Sequence, residues 1–142
     1  MSQLTNYSEN QLGDHFFRTA SFPKPTQLNY RLFTAAPGEA GGGTEVTGGS
    51  YAAVNLPPLD ANYNGTHGTT VGASSGTGGL IDNAVAITFP APTANWGLIT
   101  HMAVDDQSAN MLIYGPLTVS KTVNNGDPAP SFPIGDADFT FA

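Results

Sequence analysis

In the second half of the chain, short runs of apolar and β-branched residues recur about every ten residues, separated by clusters of turn-forming residues. The runs are "NAVAITF", "WGLITHMAV", "NMLIYGPLTV" and "ADFTFA". Asn125-Gly126, between the last two runs, is a strong signal for a tight turn. Short strands at this spacing are typical of antiparallel sandwiches. The sequence therefore predicts a mainly β protein, an antiparallel β-sandwich or jelly-roll-like domain.

The composition agrees with a loop-rich β protein. The chain has 142 residues, enough for a single domain over 1–142. Charged residues make up 11%, against about 25% in ordinary globular proteins, and there are 17 glycines and 11 prolines. We therefore expect a surface of Thr, Asn, Ser and Gly rather than of Lys and Glu.

The N-terminal segment, residues 1–22, differs from the rest because its apolar residues follow a helical spacing. The stripe consists of Leu4, Tyr7, Leu12, His15 and Phe16. It predicts a short amphipathic helix that the prolines of "SFPKP" terminate. This stripe either lies across a partner or packs on the protein's own sheet.

The middle of the chain alternates between strand and glycine-rich signals. "QLNYRLFTA" has a period of two and predicts a strand, and 51–56 predicts a shorter one. In "PGEAGGGTEVTGG" we expect the glycines to form bends with positive φ. Residues 57–80 are predicted to form a long Gly-rich loop. Loops of this length are usually functional. Tyr63 and His67 are its candidate contact residues.

Charge and cysteine content exclude several classes of function. The net charge is −7 and only four residues are basic, so binding to nucleic acid or to an anionic membrane is not expected. Without cysteine, the chain has no disulfide, thiolate zinc site or cysteine nucleophile. No apolar stretch is long enough to span a membrane, and the N-terminus lacks a signal-peptide pattern, which predicts synthesis in the cytoplasm.

The residues capable of catalysis do not form a known constellation. His15, His67 and His101 lack the spacing of a metal site, and the acidic pairs Asp105-Asp106 and Asp136/Asp138 suit turns better than a cation site. There is no Gly-x-Ser-x-Gly elbow and no phosphate-binding loop. We therefore expect no enzymatic activity, no metal and no cofactor.

The single tryptophan, Trp96, opens the run "WGLITHMAV". An exposed tryptophan could stack on a sugar, but a lone one at the start of a strand more often buries its ring in the core. The candidate core residues are Trp96, Ile99, His101 and Tyr114.

Four blocks of the sequence resemble a family of small tailed-phage and prophage proteins, whose members are labelled tail fibre, minor tail or decoration protein. The blocks are "LTNYSENQLGDHFF", "YRLFTAAPGEAGGGTEVTGGSYA", "ITFPAPTANWGLITHMAV" and "LIYGPLTVSKTVNNGD". The resemblance implies a non-enzymatic virion component and no catalytic residues. The middle segment "LPPLDANYNGTHGTTVGASSGTGG" departs from the pattern.

Within this resemblance we expect a capsid decoration (cement) protein, a homotrimer on the capsid surface that stabilises the shell of major capsid protein. Its candidate interface residues are Leu4, Tyr7, Leu12, Phe16, Tyr63 and His67. The alternative is a tail or tail-fibre component for attachment, in which residues 57–79 form the contact tip. A glycan hydrolase carried on the particle is a third hypothesis, although the sequence does not show the acid pair that such an enzyme needs.

Overall fold

One large antiparallel sheet organises the molecule in the computed structural model, which describes residues 2–65, 73–74 and 78–141. The elements, in chain order, are β1 (Gln3–Leu4), α1 (Asn6–Phe17), β2 (Asn29–Ala35), β3 (Thr44–Glu45), β4 (Val54–Asn55), a 3-10 turn (Asp60–Asn62), β5 (Tyr63–Asn64), β6 (Leu80–Asn83), β7 (Ile87–Thr88), β8 (Gly97–Asp105), β9 (Met111–Val123), β10 (Ser131–Phe132) and β11 (Asp138–Thr140).

The strands form a six-stranded sheet and two smaller ones. In the large sheet the order is β1-β9-β8-β2-β3, and β4 also pairs with β2. The small sheets have the orders β10-β7 and β11-β6-β5. Every pairing is antiparallel. The predicted fold class, mainly β and antiparallel with a short N-terminal helix, is confirmed.

The main core lies between one face of the large sheet and the two small sheets. Strand β2 shows how the pattern builds it, because Tyr30 and Leu32 point into this core while Phe33 joins a small cluster on the opposite face. The buried core residues are Tyr30, Leu32, Val46, Leu56, Ile87, Phe89, Trp96, Ile99, Val104, Ile113, Val123, Ala137 and Phe139. Burial of these apolar side chains is the main favourable contribution to folding.

A register shift between β8 and β9 lies at the point where β8 changes which of its alternating residues reach the core. Between Ile99 and His101 the register with β9 shifts, because Ile99 pairs with Lys121 whereas His101 pairs with Pro116. Strict alternation would put Ile99 and His101 on the same face. The shift instead places Met102 and Val104 with Ile99 against the core, so the prediction that His101 is a core residue is wrong.

His101 is half-buried, and its Nδ1 lies 2.9 Å from Oγ1 of Thr100. Ala103, two residues further along the same face, is buried against Phe33 and Tyr114 in the small cluster. The imidazole therefore sits at the border of a minor apolar cluster and not in the interior of the sandwich.

The glycine-rich segment makes left-handed bends, as predicted. Gly41, Gly42, Gly43, Gly48 and Gly49 all have positive φ. At Gly49 a Cβ atom would lie 2.9 Å from Cβ of Ala94 and 3.0 Å from Nε1 of Trp96. The same glycine accepts a 3.0 Å hydrogen bond from Trp96 Nε1 at its carbonyl oxygen. The bend thus closes directly on the tryptophan.

The described part of 57–80 contains regular structure that the sequence did not predict. A 3-10 turn and β5 lie inside this segment, and β5 pairs with β6. Strand β6 ends in a buried asparagine, Asn83, the first residue of the predicted run "NAVAITF". Its Nδ2 donates to the Val85 and Pro133 carbonyls at 2.9 and 2.8 Å, and its Oδ1 accepts from Ala137 N at 2.9 Å. Main-chain partners allow this polar side chain to be buried.

Candidate interaction surface

The start of helix α1 is fixed to the large sheet. Thr5 caps the helix by accepting from Ser8 N, and its own N–H donates to the Leu112 carbonyl at 3.2 Å. Ser8 is buried and its Oγ donates to the same carbonyl at 2.8 Å. A capping residue of this kind contributes about 0.5–2 kcal/mol. The first turn is therefore held on β9.

The other end of α1 projects its aromatic side chains into solvent. Phe16 is 69% exposed and Phe17 is 88% exposed. The ring centroids of His15 and Phe16 are 5.6 Å apart, and those of Phe16 and Phe17 are 6.5 Å apart. We refer to His15, Phe16 and Phe17 as the aromatic tip. Exposed apolar groups that touch one another mark contact surfaces more often than isolated ones do.

The chain turns sharply after the tip. Arg18 has an extended backbone, and its N–H donates to the Asp14 carbonyl at 3.0 Å. Its guanidinium lies 3.3 Å from the Asp14 carboxylate, in an exposed i,i+4 pair. The helix therefore ends before Pro23 and Pro25, the residues predicted to terminate it, and the tip stands at a corner of the chain.

An apolar groove of about 770 Å³ runs between α1, the sheets and residues 58–60. We call it the helix groove and define it by the residues Leu4, Leu12, Phe22, Leu59, Tyr63 and Phe141. Asp60 is the one charged residue among the described residues that line it. Leu12 lies one helical turn before Phe16, so the groove and the aromatic tip adjoin.

Tyr63 brings a neutral polar group to the groove. Its hydroxyl donates to the Leu56 carbonyl at 2.9 Å and accepts from the hydroxyl of Tyr30 at 3.2 Å. Burial raises the pKa of Tyr63 to about 12, so the phenol stays protonated at physiological pH. The groove therefore suits an apolar occupant rather than an anion or an acid–base reaction.

The structure brings several of the predicted interface residues to this surface. Leu12 and Tyr63 line the groove, and Phe16 belongs to the tip. Tyr7 packs edge-on against Phe22, with the ring centroids 6.2 Å apart. Leu4 also lines the groove, but it lies in β1, paired with Ile113, and not on the helix as expected. The helix begins later because Thr5 caps it. His67 lies outside the described residues.

The sequence reasoning missed the apolar residues that complete the surface. They are Phe17, Phe22, Leu59 and Phe141. Phe17 follows Phe16 directly at the end of the helix, so its position beside the predicted stripe was readable from the sequence. Phe22, Leu59 and Phe141 are distant in sequence, and only the tertiary structure brings them together.

Three of the four candidate core residues lie in the two apolar clusters. Trp96 is 6% exposed and Ile99 is buried, and both belong to the main core. The ring of Trp96 packs edge-on against Tyr51 at 5.3 Å. Tyr114 is also buried, but in the small cluster on the opposite face of the large sheet.

Asp105 and Asp106 have separate structural roles. The Asp106 carboxylate accepts from the N–H groups of Ser108 and Asn110 at 2.8 and 2.9 Å, as expected of a turn former. Asp105 is buried and pairs with Arg31, so the prediction of a turn role is wrong for this residue. It ends β8 beside Asn29 of β2, so its carboxylate meets a guanidinium that the sequence pattern could not bring close.

Arg31 ties three strands together on that face. Its guanidinium pairs with Asp105 of β8 and with Glu45 of β3. The Nε atom of Arg31 donates to Oε1 of Glu45 at 2.9 Å. Glu45 also accepts from the hydroxyl of Tyr51 at 3.0 Å. Burial raises the pKa of Asp105, and the guanidinium partly offsets this effect. The network is structural and lies away from the helix groove.

The other acidic pair borders a second cavity, of about 840 Å³, between β9 and the C-terminal strands. Asp136 and Asp138 are both exposed at its edge. Within 2–65, 73–74 and 78–141, no three His, Cys, Asp or Glu side chains converge in a group that could hold a metal ion. In the same residues, no helix is long and apolar enough to cross a membrane.

Fold and surface together define a class of protein, a small antiparallel β domain with an adjoining apolar groove and aromatic projection. The family model described as "Podophage GP4 fiber I protein gp80" matches residues 3–140. The chain therefore belongs to this family of phage virion proteins, which carries the label of a fibre. No curated protein matches the chain significantly.

Proposed function

We propose that this protein is a structural component of a phage tail fibre that acts by binding and not by catalysis. The observation that carries the proposal is the family match, which spans residues 3–140 and bears the description of a fibre protein. The apolar groove and the projecting aromatic residues support it, since a fibre component must hold other subunits of the virion. The neutral Tyr63 and the apolar lining also favour binding.

A capsid decoration protein is the second candidate. Its support is the low content of charged residues, 11%, which suits broad contacts with major capsid protein that bury few ions. A decoration protein stabilises the shell by binding only the assembled state, so many copies with modest affinity add up. The family's description favours the fibre over this placement.

Quantitative mass spectrometry of purified virions separates the two candidates. We expect a copy number that is a small multiple of the tail symmetry, with antibody label at the tail in electron micrographs. A copy number comparable with that of the major capsid protein, with label over the head, would replace the fibre by the decoration protein. Absence from the virion would overturn both placements.

A further inference from the structure

The aromatic tip has an apolar surface that the protein's own fold leaves uncovered. Phe16 and Phe17, the last two residues of a helix that is well anchored at its first turn, are 69% and 88% exposed. Their ring contacts in the described structure are with each other and with His15. Exposure of a phenylalanine has a free-energy cost that a partner surface would remove.

The helix groove offers that surface. It is lined by apolar side chains, it is large enough for more than one aromatic ring, and Leu59 and Phe141 at its border are 59% and 53% exposed. Every copy of the chain therefore carries both an aromatic projection and an apolar recess. We propose that the helix groove of one copy receives the aromatic tip of a second copy.

The charges on the two sides are complementary. Arg18 follows the tip directly, and its side chain is largely exposed in spite of the pair with Asp14. Among the described residues of the groove lining, Asp60 is the charged one. Because only four residues of the chain are basic, an arginine beside the tip is a specific feature in an otherwise acidic protein. Docking would bring Arg18 of one copy to Asp60 of the other.

The area is sufficient when both contacts of each copy are counted. Burial of a phenylalanine removes about 150–250 Å² from solvent, and a stable interface needs about 800 Å² on each partner. In a two-fold dimer each copy gives its tip to the partner and receives the partner's tip, so both contacts belong to one interface. The area that each copy buries approaches this value when it includes the two Phe side chains, the groove border and the Arg18–Asp60 contact.

Cross-linking between copies tests the contact directly, because the chain contains no cysteine. Protein carrying Phe17→Cys is mixed with protein carrying Leu59→Cys, oxidised, and analysed by non-reducing electrophoresis and peptide mass spectrometry. The control mixture replaces Phe17→Cys by Val119→Cys, since Val119 is 78% exposed and does not line the groove. We expect the mixed disulfide in the first mixture well above the control. Equal yields would overturn the proposal.

Sedimentation velocity across a concentration series measures the strength of the association. We expect self-association of the wild type and a rise in Kd of about tenfold or more for Phe16→Ser/Phe17→Ser, since buried aromatic anchors dominate interface energies. Val119→Ser is the matched control and should leave Kd unchanged. Thermal melting of each variant confirms that it is folded.

Charge reversal provides an independent readout. Arg18→Asp and Asp60→Arg should each weaken the association, and the two variants mixed or combined should recover it, because the attraction is then restored with opposite signs. A wild type that stays monomeric throughout the series would overturn this inference while leaving the fibre assignment standing, since that depends on where the protein lies in the virion.

Discussion

Two aromatic groups of this protein have similar chemistry and opposite surroundings. In the interior, the ring centroid of Tyr51 lies 5.3 Å from that of Trp96 and 6.2 Å from that of Phe89. The ring centroids of Phe89 and Phe132 are also 6.2 Å apart. At the end of α1, the aromatic tip reaches into solvent. The interior rings come from four separate segments of the chain, whereas the rings of the tip are consecutive residues. Aromatic content alone therefore does not distinguish core from contact surface.

The two aromatic groups differ in how many other segments of the chain pack against them. The interior rings close the sandwich because strands and bends that are distant in sequence converge on them. The tip rings follow an anchored helix to its end, where the chain turns away at Arg18. We expect substitutions in the interior to change the free energy of unfolding and substitutions in the tip to change association.

The largest effect should come from Trp96→Ala. Removing a buried tryptophan leaves a cavity and deletes the hydrogen bond to the Gly49 carbonyl, so we expect a loss of about 3–5 kcal/mol in the free energy of unfolding. Urea denaturation measures it. Leu98→Ala, two residues along the chain and 50% exposed, is the control and should cost much less. Equal losses for the two variants would mean that Trp96 does not hold the core.

The next effect should come from Arg31→Met. The variant keeps the aliphatic volume but leaves the buried carboxylate of Asp105 without its partner. Because the guanidinium is partly exposed, we expect a loss of about 2 kcal/mol, between the values for surface and buried ion pairs. Arg18→Met removes an exposed pair and should change the unfolding free energy little. A stable Arg31→Met protein would show that the network contributes nothing net.

A smaller effect should appear in the pH dependence of stability. The pKa of Asp105 is higher in the folded protein than its usual value of 3.8, so between these two pKa values the folded state binds more protons than the unfolded state. This residue's contribution to stability should therefore become more favourable as the pH falls through that interval. Denaturation of the wild type and of Asp105→Asn at a series of pH values isolates the contribution. A difference between the two proteins that ran the other way would show a lowered pKa.

The smallest effect on stability should come from the tip. Phe16→Ser/Phe17→Ser removes no interior contact, so at concentrations where the protein is monomeric we expect the unfolding free energy to change by no more than about 0.5 kcal/mol. Calorimetry at low protein concentration measures it. If this variant melted as early as Trp96→Ala, the tip would belong to the folded core and the contrast between the two groups would fail.

The sequence by itself determined the features that depend on neighbouring residues. The period of two in "QLNYRLFTA" predicted β2, whose residues Tyr30 and Leu32 lie on one face and Phe33 on the other. The glycines of 41–49 formed the left-handed bends expected of them. The helix was found from its spacing, with its end misplaced. These features follow from local periodicity and from the steric freedom of glycine.

Only the tertiary structure decided which face each residue meets and which polar groups can be buried. His101 turns away from the core at the register shift between β8 and β9. The main chain of Val85, Pro133 and Ala137 allows Asn83 to be buried, and Arg31 pairs with Asp105. The helix groove likewise forms from segments that lie far apart in sequence. These outcomes depend on strand register and on partners distant along the chain, which a local pattern does not encode.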